Sequence, residues 1–223
     1  MSFKSDVVTP SGGKLIPFNQ LNYMQINNVN AMYHQIEIDD GAARLDSIGQ
    51  CSGLSAAFLV LKKMGVDLST KDFLRIFLDF IKTGNGAAIV ASVQLDVEKA
   101  YAENGAVGAE SAIADFLTEG VEGTSLKHHE TVQDRATQNY IYDFVQSNTG
   151  YYMIGFNTHE CAVYYGELSN GSTGITFFEP NRGFVHFSAG THKIDFKNFL
   201  GLYFQSNVGN SYVNNACVLS GYR

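Results

Sequence analysis

The chain has 223 residues, 45% of them hydrophobic and 17% charged, with a formal net charge of -7. That size and balance suit one soluble globular domain that can bury a sizeable core without disulfide staples. The acidic balance argues against an electrostatic grip on nucleic acid or an anionic membrane, and no apolar run reaches the roughly 18 residues of a membrane-spanning helix.

Residues 1–45 form an N-terminal arm with extended, Asn-rich stretches such as KLIPFNQLNYMQINNVNAMYHQIEI, suited to a strand or to a segment laid over the core. Its first residues, MSFKSDVVTPSGGK, lack an apolar core of signal-peptide length. Helical signals dominate residues 46–148. In GLSAAFLVLKKMG, residues Leu54, Ala57, Phe58 and Leu61 share one helix face, and Gly65 is a natural stop. DLSTKDFLRIFLDFIKTG repeats the pattern with Phe73, Ile76, Phe77 and Phe80, an apolar stripe best read as core. AAIVASVQLDVEKAYAENG, AESAIADFLTEG and ETVQDRATQNYIYDFVQSN predict three further helices. The texture changes across residues 149–223. GYYMIGF, HECAVYYGEL, GITFFEPN and GFVHF are short, aromatic and β-branched, and Gly, Asn and Ser separate them. DFKNFLGLYFQSN predicts a short helix and NACVLSGY a last strand. The expected fold is α+β: residues 1–223 form a single domain, with a helical lobe packed on an antiparallel sheet and a cleft where they meet.

Three cysteines, Cys51, Cys161 and Cys217, are an odd, low count that points to reduced thiols in a reducing compartment. Cys51 stands at a helix start, where free backbone N–H groups and the positive end of the helix dipole favour a thiolate. A thiolate attacks carbonyls, and a neighbouring imidazole can hold and return the proton. Of the six histidines, His159 opens a strand directly after a loop, where a side chain can face a cleft. The following strand ends in FFEPNRG, and in an antiparallel pair that end lies beside the start of its neighbour. Glu179 can therefore reach His159 and fix its tautomer, and Asn181 is a second candidate for that role. Cys161 and Cys217 read as inert core thiols. His128 and His129 read as a solvated loop, since no cluster of ligand residues accompanies them.

Three local words, GQCSGLSAAFL, HECAVYY and FFEPNRGFVHF, resemble the YopT/AvrPphB-type family of bacterial effector cysteine proteases, whose fold is papain-like. They span residues 49–187 in the family's order. The resemblance implies Cys51 as nucleophile, His159 as general base and acid, and Glu179 as the residue that orients it. This chain departs from the family in two places. Glu179 stands where the family carries Asp. Asp46 stands where the family carries an amide donor for the oxyanion, which makes Gln50, the nearest side-chain amide, the other candidate. The resemblance further implies a thiol protease secreted by a bacterium into the host cytosol, cutting host proteins and using neither a cofactor nor a metal. The same triad can run deamidation, transglutamination or acyl transfer, because each begins with thiolate attack on an amide or thioester. A catalytically silent binding module is the remaining alternative, and the presence of all three triad residues argues against it.

Overall fold

A computed structural model describes residues 2–22, 50–67, 72–82, 84–119, 128–133, 137–156, 159–168, 171–188, 190–213 and 217–222. In chain order, a wide helical turn, Lys4–Val8, precedes strand β1, Lys14–Pro17. Helices α1, Cys51–Lys63, α2, Phe73–Lys82, and α3, Gly84–Glu119, follow. Next come β2, His128–Gln133, and α4, Gln138–Gln146. Strands β3, Gly150–Phe156, β4, His159–Glu167, β5, Thr173–Glu179, and β6, Gly183–Phe187, lead to helix α5, His192–Gln205. A short turn of helix, Gly209–Tyr212, and strand β7, Cys217–Tyr222, end the described chain.

The seven strands form one sheet in the order β1-β6-β5-β4-β3-β7-β2, antiparallel at every pairing. Successive side chains of a strand point to opposite faces, and here both faces are covered. Met153, Ala162, Phe178 and Phe184 face Leu54, Phe58, Phe73, Phe77 and Val90 of helices α1 to α3. Ile154, Cys161, Phe177 and Phe187 face Ile141, Phe196, Phe199 and Tyr203 of α4 and α5. Double coverage explains why the strand sequences are apolar runs rather than alternations: every residue of β6, for example, is buried. The architecture is thus α+β, with the helical layer of α1 to α3 packed on an antiparallel sheet and a second helical layer behind it.

Several sequence expectations change. Residues 128–133 are an edge strand, not the start of a helix; HHETVQ pairs with β7 in the register His128↔Tyr222, and α4 starts only after Thr137, whose side chain accepts from Tyr140 N. His128 and His129 therefore stand in a strand rather than a loop. Polar and charged residues are common on sheet edges, where they discourage pairing with other chains, and this hides the strand from a search for apolar alternation. The buried stripe of α2 is Phe73, Phe77 and Ile81, with Phe80 only half-buried. The two helices expected between residues 87 and 119 are end to end in α3, broken at Gly105, whose φ of 66° no helix interior adopts. Helix α1 ends where Gly65 predicts: Val66 N reaches Leu61 O and Gly65 N reaches Lys62 O, the paired bonds of a glycine-stopped helix. Among the described residues, no helix is long and apolar enough to cross a membrane.

Candidate active site

The site stands at one end of the sheet, where β4 begins, β5 ends and α1 starts. The register of β4 on β5 pairs Ala162 with Phe178. Continued by one step, it sets Cys161 opposite Glu179, with His159 two residues farther along the same face. His159 then meets Glu179 diagonally, a distance long side chains span. Its Nε2 lies 2.7 Å from Glu179 Oε1, and both side chains are buried. That bond leaves Nδ1 for a second partner. The Cys51 thiol, the first residue of α1, and the Cys161 thiol both lie close enough to the same imidazole to influence its charge. Ser55 Oγ, one turn into α1, donates to the Glu160 carbonyl and ties the helix to the histidine's strand.

The electrostatics follow from these contacts. Burial would push the Cys51 thiol up, but the hydrogen bond and charge of His159 and the Glu160 backbone N–H outweigh it, so its pKa lies below the ordinary 9.0. Burial likewise opposes protonation of His159, yet Cys161 first, then Cys51 and Glu179, hold its pKa well above 6.5. Cys161 is different. Burial pushes its thiol up to about 12, so of the two thiols beside His159, Cys51 is the one that ionises more readily. The ligand-type atoms of His159, Cys161 and Glu179 lie within 4.8 Å of one another, a grouping that a soft divalent ion could use. As it stands, two of the three are joined by the 2.7 Å hydrogen bond and the third is a protonated thiol.

The acid is held by its own turn. Glu179 O accepts from Arg182 N at 2.9 Å, closing the turn Glu179–Arg182, and Asn181 N donates to Glu179 Oε1 at 3.2 Å. Asn181 therefore supports Glu179. Its side chain looks elsewhere: Asn181 Oδ1 accepts from Gln20 Nε2 at 2.8 Å. Gln20 Oε1 in turn accepts from Gln50 N at 2.9 Å. One side chain of the N-terminal arm thus links the acid's turn to the residue before Cys51. Gln50 itself is buried, and its Oε1 finds no partner among the described residues. Asp46, the other oxyanion candidate, lies outside the described residues.

Three contributors are not legible from motif or spacing. Gln20 is one. Gln94 of α3 is another: its Oε1 accepts from Ser52 N at 3.0 Å and Gly53 N at 3.3 Å. Tyr212 is the third. Its ring stacks on His159, with centroids 5.2 Å apart and planes 9° from parallel, and Phe156 stacks on Tyr212 at 4.9 Å. These residues reach the site through tertiary packing from elements remote in sequence.

A buried thiol beside an imidazole, which is in turn bonded to a carboxylate, is a constellation for nucleophilic attack on an acyl carbon. No family model and no curated protein matches the chain. Among solved structures, the chain is similar to the avirulence protein AvrPphB of Pseudomonas. The TM-score is 0.51 at 16% identity, covering 78% of this chain and 90% of that one. At that identity the likeness is one of fold. It agrees with the family resemblance carried by the Cys51, His159 and Glu179 words.

Proposed function

We propose that this chain is a cysteine endopeptidase of the effector type, a single papain-like domain that hydrolyses peptide bonds in host proteins. The observation that carries the reading is the imidazole of His159, bonded to Glu179 at 2.7 Å and close enough to the Cys51 thiol to lower its pKa. In the resting pair, the proton resides on His159 and the charge on Cys51. The Cys51 sulfur attacks the scissile carbonyl carbon, a C–S bond forms, and the carbonyl oxygen becomes an oxyanion. The Cys51 backbone N–H, at the start of α1, is the donor nearest that oxygen. Collapse of the intermediate breaks the C–N bond, and the leaving amine takes the proton from His159. A water molecule then gives a proton back to His159 and attacks the thioester, releasing the acid and restoring the thiolate. Glu179 holds the ring so that one nitrogen always faces the sulfur, and its charge favours the imidazolium.

Action in a host cytosol after bacterial secretion fits this reading: none of the three cysteines is in a disulfide, and AvrPphB, to which the fold is similar, is an avirulence protein. Host lysate treated with the wild type or with Cys51→Ala, followed by profiling of new protein N-termini, tests the proposal. New N-termini confined to the wild-type sample are expected. A gain of about one dalton at Gln residues with no new N-termini would assign the same triad to deamidation instead.

A further inference from the structure

Helix α1 starts without any of the usual local devices. Its N-cap residue, Gln50, makes no side-chain capping bond, and no acidic residue occupies the first turn. The orphan N–H groups of that turn are met from elsewhere. Gln50 N is bound by Gln20, while Ser52 N and Gly53 N both donate to Gln94 Oε1, a side chain brought in from α3. Gln94 is buried, and its Nε2 donates to Glu98 Oε1 at 2.9 Å, which fixes which end of the amide faces α1. The approach depends on Gly53: a Cβ there would lie 2.1 Å from Val90 O, so only glycine lets the two helices meet closely enough for Gln94 to reach. Among the described residues, no acceptor takes the Cys51 N–H.

We infer that Gln94 is a positioning residue for the nucleophile, capping the helix of Cys51 in trans with a neutral dipole so that the Cys51 N–H stays free and no carboxylate opposes the thiolate. This rests on the reading of Cys51 as an activated nucleophile. An Asp or Glu is the common solution at a helix start, where its charge is favourable. Here the same charge would stand next to a developing anion. Gln94 supplies the two acceptor contacts without that charge, and the anion of its own network, Glu98, is held one helical turn farther along α3.

The charge-swapped variant Gln94→Glu/Glu98→Gln tests this on the full chain. It keeps the net charge and leaves an acceptor for Ser52 N and Gly53 N and a donor at position 98, but moves the carboxylate to the cap. The readout is the rate of Cys51 alkylation by iodoacetamide as a function of pH, with the labelled residue identified by peptide mass. The swap is expected to move the acid limb upward by about one pH unit, a roughly tenfold loss of rate below the limb. A wild-type limb well below pH 9 with a superimposable limb in the swap overturns the cap role and leaves the Cys51 reading standing. A wild type that alkylates only as an ordinary thiol overturns both. Should the swap not fold, Gln94→Met keeps the bulk and removes the acceptor: amide exchange at Ser52 and Gly53 is expected to accelerate at least about tenfold, and unchanged exchange overturns the cap.

Discussion

Replacing Glu179 with Gln isolates charge from shape. In the native site, Oε1 accepts two bonds, from His159 Nε2 at 2.7 Å and from Asn181 N at 3.2 Å, while Oε2 has no partner among the described residues. A Gln oxygen at the Oε1 position keeps both donors, so the imidazole retains its orientation. Two things are lost. The charge-assisted bond becomes a neutral one, weaker by about 1–1.5 kcal/mol. The new NH2 group also takes the place of Oε2, in a buried position beside Cys161. The first effect falls on the imidazolium, so the thiolate–imidazolium pair is less populated and the rate of the chemical step drops by roughly 5- to 13-fold. The second falls on stability, at about 1–3 kcal/mol for a buried unsatisfied group, or roughly 2–12 °C in Tm for a chain of this size. Initial rates on a cleaved host substrate, the pH profile of Cys51 alkylation and a thermal melt separate the two. A folded Glu179→Gln protein with wild-type rate and an unshifted profile would refute the role of Glu179 outright.

Asn181→Ala removes the acceptor of Gln20 Nε2 but leaves the Asn181 backbone N–H on Glu179. A rate loss below about tenfold is expected, smaller than for Glu179→Gln and tracking any fall in Tm. Tyr212→Ala removes the ring stacked on His159; an aromatic pair of this kind is worth about 0.5–1.5 kcal/mol, so kinetics should show a roughly 2- to 10-fold loss in kcat/KM. Gly53→Ala forces α1 away from Val90, because its Cβ would meet a backbone oxygen at 2.1 Å. A destabilisation of about 1–3 kcal/mol is expected by denaturant titration. The Cys51 pKa is lowered from 9.0 and that of His159 raised well above 6.5, so both shifts favour a thiolate–imidazolium pair. Activity should therefore rise with pH as Cys51 ionises and fall on the alkaline side as His159 loses its proton, a bell in kcat/KM whose two limbs belong to the pair rather than to either residue.

The candidate triad was legible as a grouping because each member stands at a punctuated element end. Cys51 opens an amphipathic helix, His159 opens a strand after a loop, and Glu179 closes the next strand before Pro-Asn. Antiparallel pairing then dictates that the last two are neighbours, and strand register alone brings Cys161 alongside them. The sequence did not display what depends on packing between distant segments. Nothing in the spacing of Gln20 or Gln94 tells that one bridges to residues 50 and 181 or that the other caps a helix from its neighbour. Tyr212 reaches His159 only because the short helical turn before β7 folds back over the start of β4. The strand 128–133 was hidden for another reason: at a sheet edge, polar residues carry no apolar alternation for a periodicity search to find. The second helical layer did leave a trace, the unbroken apolar runs of β4 to β6, which a sheet covered on one face alone does not need.

The claim on which the rest depends is that His159 makes Cys51 a thiolate. Second-order alkylation of Cys51 by iodoacetamide, followed by peptide mass from acid to alkaline pH in the wild type and in His159→Ala, measures it directly. The account predicts that the wild-type Cys51 reacts rapidly at and below neutrality while Cys161 and Cys217 stay unlabelled in the folded protein. It predicts that His159→Ala, still folded, reacts only as the pH approaches or exceeds that of an ordinary thiol, about 8.5. Two profiles that superimpose, or a wild-type Cys51 no more reactive at neutral pH than a free thiol, would contradict it.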